Sequence, residues 1–221
     1  MSRNHFLLVS VFLIAIYIFF PSVHSSYAQT LTTVEINEYE GTKLGSIKDF
    51  RENSIKGIQE VNPDTYTLVV DGLVETPLSF TLEELTEKLP QAKKVIRIDC
   101  VEGWAVTCLW EGFLITDLIN LSVPKKESKI IIFHAVDGYT TSLPLEYIKE
   151  KNIMLADHIN GIVLPQAQGF PLQLVAEDKW GYKWIRWITR LELSDDERYK
   201  GYWESRGYSN QGDIDKSMFG D

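Results

Sequence analysis

Short β-branched runs broken by turn dipeptides set the limits on what this 221-residue chain can fold into. Tyr66-Thr67-Leu68-Val69-Val70 stops at Asp71-Gly72. Lys129-Ile130-Ile131-Ile132-Phe133 is followed by Asp137-Gly138, which turns the chain into Tyr139-Thr140-Thr141-Ser142. Asn160-Gly161 between apolar flanks is a strong hairpin signal, because both central positions of a type I′ turn need φ > 0. Val95 to Cys100, Val106 to Trp110, Pro171 to Val175 and Trp184 to Leu193 read as further strands. Helical segments are brief. Thr81-Leu82-Glu83-Glu84 is a capping box opening a helix that ends before Pro90. Ile115 to Leu121 is a second helix, and Pro144 suits the first turn of a third that runs to about Lys149. None exceeds about two turns, which argues against parallel βαβ winding. An α+β fold with many short strands in mixed sheets and short helices is expected.

The first residues read as an export signal. Arg3 precedes an uncharged apolar run, Pro21 ends its core, and Ser26-Tyr27-Ala28 places small residues where a signal peptidase reads. Residues 1–28 are therefore a signal peptide, the alternative being an uncleaved membrane anchor. Residues 29–60, broken by Gly41, Gly45 and Gly57, read as an extended arm with a short turn at Ser46 to Phe50. Residues 61–194 hold the domain. Residues 195–221 are a polar tail whose Tyr199, Tyr202, Trp203 and Tyr208 pack back on the core. The formal charge of -9 argues against a nucleic-acid partner.

Cys100 closes the strand-like run Val95-Ile96-Arg97-Ile98-Asp99-Cys100 and precedes a Gly103-Trp104 turn. Strand alternation puts Ile96, Ile98 and Cys100 on one face and Val95, Arg97 and Asp99 on the other. Arg97 therefore points away from the thiol. The second cysteine is Cys108. An exported chain permits a Cys100–Cys108 disulfide. A thiolate holding a soft metal is the other reading, and residue chemistry leaves both open. Other chemistries find little support. There is no phosphate-binding Gly loop and no Gly-x-Ser-x-Gly elbow. His134 and His158 have no partner at helical spacing for a zinc site. Without Cys-x-x-Cys, covalent haem and cysteine-bound iron–sulfur clusters lose support.

The run Arg97-Ile98-Asp99-Cys100-Val101-Glu102-Gly103-Trp104 resembles the cysteine region of sulfite oxidase-type molybdopterin-binding domains, among them periplasmic protein-methionine-sulfoxide reductase catalytic subunits. The resemblance continues through Trp110-Glu111-Gly112-Phe113, Asp137 to Pro144, Asn160-Gly161, Gly181-Tyr182-Lys183-Trp184-Ile185 and the tail run Gly201 to Tyr208. It covers roughly residues 42–215, and the order and spacing of the pieces are its specific part.

The resemblance implies a sulfite oxidase-type fold and two-electron oxygen-atom transfer at a molybdenum held by the pterin's dithiolene sulfurs and by Cys100. It assigns cofactor contacts to Phe50, Arg51 and Asn53 of the arm and to Ala135 through its backbone. It assigns phosphate-facing positions to Lys183 and Arg186, with Trp184 between them, and further contacts to Gln168 and Gln173. The substrate it implies is a small oxo compound or oxidised methionine, with a membrane haem as electron partner and a site of action outside the cytoplasm or on the outer face of the cell membrane. Sulfite oxidation is the enzymatic alternative. A cofactor-free binding module with a Cys100–Cys108 disulfide is the non-enzymatic one.

Three departures bear on this. Gln168 and Gln173 stand where many relatives carry Asn or His and then Arg, and losing the arginine removes a charge-assisted bond of about 1.5–3 kcal/mol. Ser2-Arg3-Asn4 offers one arginine where exported relatives carry a twin-arginine leader. No dense arginine pocket for sulfite is evident near Cys100.

Overall fold

The structure is a computed structural model, and it describes residues 34–220. The expected signal peptide lies outside them. The first element is a small hairpin, β1 (Glu38–Tyr39) with β2 (Thr42–Lys43), in the segment expected to be a plain arm. A short 3-10 turn at Ile47–Asp49 follows, closed by a Ser46/Asp49 capping box. Then come β3 (Leu68–Gly72), β4 (Leu78–Phe80), α1 (Leu82–Lys88), β5 (Gln91–Asp99), β6 (Ala105–Leu114) and α2 (Ile115–Ser122). The rest is β7 (Ile130–Ala135), β8 (Thr140–Pro144), α3 (Leu145–Glu150), β9 (Met154–Ile159), β10 (Ile162–Val163), β11 (Gln173–Val175) and β12 (Ile188–Ser194). Among the described residues no helix is long and apolar enough to cross a membrane.

Two five-stranded sheets carry the core. One runs β10-β9-β6-β5, with β11 also on β9, and is antiparallel. The other runs β4-β3-β12-β7-β8 and is mixed, because β12 pairs parallel with β3 and antiparallel with β7. Thr81 caps α1 as its sequence predicts: its Oγ1 accepts from Glu84 N at 3.2 Å, and the Glu84 carboxylate accepts from Thr81 N at 3.0 Å. The core includes Trp110, Phe133, Leu68, Ile131 and Leu143, all essentially inaccessible to solvent. Each such side chain contributes about 1.5–3 kcal/mol by leaving water.

Asn160 and Gly161 take φ of 48° and 77°, the left-handed pair that a type I′ turn demands, and join β9 to β10. The Asn160 side chain then acts as a clamp. Its Oδ1 accepts from Leu109 N at 3.0 Å, and its Nδ2 donates to Gly45 O at 2.9 Å and to Glu35 at 3.2 Å. The arm is thereby tied to the β6–β9 seam.

The strand expected from Trp184 to Leu193 starts only at Ile188. Gly181–Lys183 form a 3-10 turn, and Trp187 sits at φ 53°, which no strand residue adopts. Trp184, Ile185 and Trp187 are all buried, so a folded loop carries the apolar density of a strand. The β5–β6 register decides the cysteine question. Cys108 pairs with Ile96, four residues before Cys100. At about 3.3 Å per residue that is a separation of about 13 Å, beyond the roughly 7 Å that a disulfide spans between Cα atoms. Both thiols are free and buried, which removes the expected alternative of a Cys100–Cys108 bridge.

Candidate active site

β5 delivers Cys100 one residue beyond its last paired position. A tight turn holds it there: Cys100 N donates to Trp104 O at 2.8 Å, and Gly103 N donates to Cys100 O at 3.0 Å. The Gly181–Lys183 turn packs directly on this point through a parallel bridge between Asp99 and Trp180. A Cβ on Gly181 would lie 3.3 Å from both Asp99 O and Cys100 Cα, so any larger residue would push the two segments apart by a few tenths of an ångström.

Cys100 lines two adjoining cavities, which form the two lobes of a cleft. Asn53, Cys100, Gly181, Trp184 and Arg186 line both lobes. The larger, about 760 Å³ including its open mouth, is aromatic and acidic, with Tyr139, Trp187, Trp203, Tyr208, Glu102 and Asp137 on its walls. The smaller, about 370 Å³, has no carboxylate on its lining and carries Arg51, Gln168 and Gln173 with Phe50 and Trp104. Phe50 fixes the arm here by ring contacts to Trp104 at 5.6 Å and Trp110 at 6.2 Å.

Burial pushes the Cys100 thiol above its ordinary pKa, the backbone N–H of Glu102 and the Asn53 amide pull it back, and the Glu102 carboxylate pushes it up again. Asn53 Nδ2 lies 3.5 Å from the sulfur. Arg186 is anchored rather than free: it donates to Glu52 at 2.9 Å, to Ala167 O at 2.8 Å and to Asn53 Oδ1 at 2.7 Å. Gly169, at φ 100°, lies against the Arg186 stem, where a Cβ would come within 2.8 Å. Gln173 is 3% exposed, and its Oε1 has no hydrogen-bond partner. A buried acceptor left empty costs about 1–3 kcal/mol unless something fills it. Among the described residues no group of three or more His, Cys, Asp or Glu could hold a metal, so the protein's soft donor here is the one thiolate.

The cleft thus gathers Cys100, Phe50, Arg51, Asn53, Gln168, Gln173, Trp184 and Arg186. Two expected contacts are placed elsewhere. The Lys183 ammonium is turned away and fully buried, 2.6 Å from Glu204 and 3.1 Å from Ser142 O. A buried carboxylate is a far better partner for it than an open lobe, which corrects the expectation that it faces a phosphate. Ala135 lines neither lobe, and its N–H and C=O are bonded within the turn to Tyr139 O and Gly138 N. Arg97 points outward onto Asp99 at 2.8 Å, as alternation predicts. Sequence reasoning missed Glu204, Trp203 and Tyr208 as parts of this region. Their run in the tail carried a family likeness but no periodicity to mark which side chains turn inward.

The family model for the oxidoreductase molybdopterin binding domain matches residues 55–203. The chain is 34% identical over 153 residues to a putative protein-methionine-sulfoxide reductase subunit, YedZ1, of Azospira oryzae, covering 69% of this chain and 57% of that protein. It is 32% identical over 149 residues to the uncharacterized oxidoreductase YuiH of Bacillus subtilis, covering 67% of this chain and 74% of that one. Among solved structures it resembles the sulfane dehydrogenase SoxCD of Paracoccus pantotrophus, with a TM-score of 0.62, 26% identity, 70% of this chain and 43% of that chain covered. The chain therefore spans little more than half of the first relative and less than half of the solved one. With its free Cys100 lining both lobes of the cleft, this chain belongs to the molybdopterin-binding oxidoreductase domains of the sulfite oxidase fold.

Proposed function

We propose that the chain catalyses two-electron oxygen-atom transfer at a molybdenum held by Cys100, with a neutral sulfoxide such as oxidised methionine as oxygen donor. The observation that carries this reading is that Cys100 lines both a cationic lobe and an aromatic, acidic one. Molybdopterin, when bound, supplies the metal, two dithiolene sulfurs and the two-electron chemistry. The chain's residues fit it. Cys100 offers a soft thiolate donor. Arg51 offers a cation to its phosphate and Gln168 offers neutral hydrogen bonds, while Arg186, already paired with Glu52, lines both lobes as an anchored guanidinium. The unpartnered Oε1 of Gln173 is an acceptor that a pterin N–H would satisfy.

In the net reaction a sulfoxide takes up two electrons and two protons, its S–O bond breaks, and a thioether and water leave. Trp187, Trp203 and Tyr208 shield the larger lobe and receive an apolar substituent. The Tyr139 hydroxyl is committed to donating to Tyr182 O, so protons enter from solvent through the open mouth rather than from this phenol. Sulfite oxidation has less support. The only arginine of the larger lobe is already paired with Glu52, while Glu102 and Asp137 repel an anion. We take the electrons to come from a separate membrane haem protein; the relative in Azospira oryzae is named as a subunit, which supports a multi-component system without identifying the partner. Residues 1–28 direct the chain out of the cytoplasm, the mature charge then being -10 from -9 by loss of Arg3 alone.

Protein purified from its native host should carry about one molybdenum per chain and reduce methionine sulfoxide with a reduced dye. Cys100→Ser should lose both while remaining folded. A wild-type chain without molybdenum, or a serine variant of equal activity, refutes the reading.

A further inference from the structure

We propose that Asn53 is a positioning residue that tunes the metal through a hydrogen bond to the Cys100 sulfur; this rests on the molybdenum reading above. The Asn53 side chain joins two groups at once. Its Nδ2 lies 3.5 Å from Cys100 Sγ, and its Oδ1 accepts from Arg186 at 2.7 Å. A guanidinium has only donors. The amide oxygen must therefore face Arg186, and the flipped arrangement would set N–H against N–H. Arg186 is itself fixed, by Glu52 at 2.9 Å and Ala167 O at 2.8 Å. A chain of bonds from Glu52 through Arg186 to Asn53 thus aims an amide N–H at the sulfur.

An N–H donor on a ligating thiolate draws charge from the sulfur and weakens its donation to the metal. Hydrogen bonds to ligating sulfurs are known levers on potential, and partners behind a ligand fix its orientation. Here the donor favours the reduced metal and raises its potential. It also locks the sulfur's direction where Cys100 lines the two lobes.

The test is the molybdenum midpoint potential of purified holoprotein, followed by the Mo(V) paramagnetic signal during a redox titration, with metal content measured on the same samples. Asn53→Leu keeps the shape and removes the donor. Its potential should fall below that of wild type by more than the replicate spread. Asn53→Gln, which keeps an amide, should recover most of the difference. Loss of the Arg186 anchor in Arg186→Leu should lower the potential in the same direction, because the amide is no longer aimed. Coincident potentials for Asn53→Leu and wild type at full metal loading overturn the proposal and leave the oxygen-transfer reading standing. If Asn53→Leu fails to load metal while Asn53→Gln loads fully but does not recover the wild-type potential, Asn53 is only a packing contact and the proposal falls. A wild-type chain without molybdenum overturns the underlying reading and this proposal together.

Discussion

Replacing Glu204 with glutamine should be among the most damaging conservative changes in this fold. Lys183 and Glu204 are both fully buried, with Nζ 2.6 Å from the carboxylate. Lys183 also donates to Ser142 O at 3.1 Å, and Thr141 Oγ1 donates to the same carboxylate. The pair staples the tail to β8 and to the turn that carries Gly181 against Cys100. Glu204→Gln keeps the shape and an acceptor oxygen but removes the counter-charge of an ammonium in a dry interior. Removing one partner of a buried pair costs about 3–5 kcal/mol. For a domain of this size that lowers the melting midpoint by roughly 6–20 °C. Exchanging both partners for apolar residues, as Lys183→Met with Glu204→Leu, should recover most of the loss, since no charge is then left behind. About 1 kcal/mol should remain for the Thr141 hydroxyl that loses its acceptor. Urea denaturation followed by tryptophan fluorescence, with circular dichroism as a second probe, measures all three. A single variant within about 1 kcal/mol of wild type, or a double variant no better than the single, would falsify the argument that an uncompensated charge is the cost.

Three further outcomes are expected. In cofactor-free protein, alkylation of Cys100 should be slower at neutral pH than that of a free cysteine and should climb as pH rises past the ordinary thiol range, because burial raises its pKa. Cys108, pushed up to about 12, should label only on unfolding, and mass spectrometry showing equal native labelling would contradict this. Glu102→Gln should tighten competitive inhibition by sulfate or sulfite, by an amount on the order of 1 kcal/mol for removal of one partly solvated charge; unchanged inhibition constants would show that Glu102 takes no part in excluding anions. Asn160→Ala should cost about 2–4 kcal/mol, because it strips the buried Leu109 N–H of its acceptor and places alanine at φ 48°. Chemical denaturation that finds a loss below about 1 kcal/mol would refute the clamp role.

Local chemistry was legible where the controlling groups are neighbours in sequence. The Thr81 capping box, the Asn160-Gly161 turn and the outward Arg97 each follow from spacing and from the two-residue pleat. The position of Cys100 at a strand end was readable for the same reason, and the order of motifs around it carried the family. Non-local facts were not. That the thiols stand about 13 Å apart depends on the β5–β6 register, which pairs Cys108 with Ile96. That Trp184 to Trp187 form a loop rather than a strand depends on how Gly169, Arg186 and the 3-10 turn pack, because burial alone gives the same apolar pattern to both. Lys183 looked like a phosphate ligand until Glu204, far along the tail, offered it a buried carboxylate. The sequence determined which residues must turn, alternate or cap. Only the packing of distant segments decided which charges neutralise one another and which groups face the cleft, because the energy of a buried charge depends on partners that adjacency in the chain does not specify.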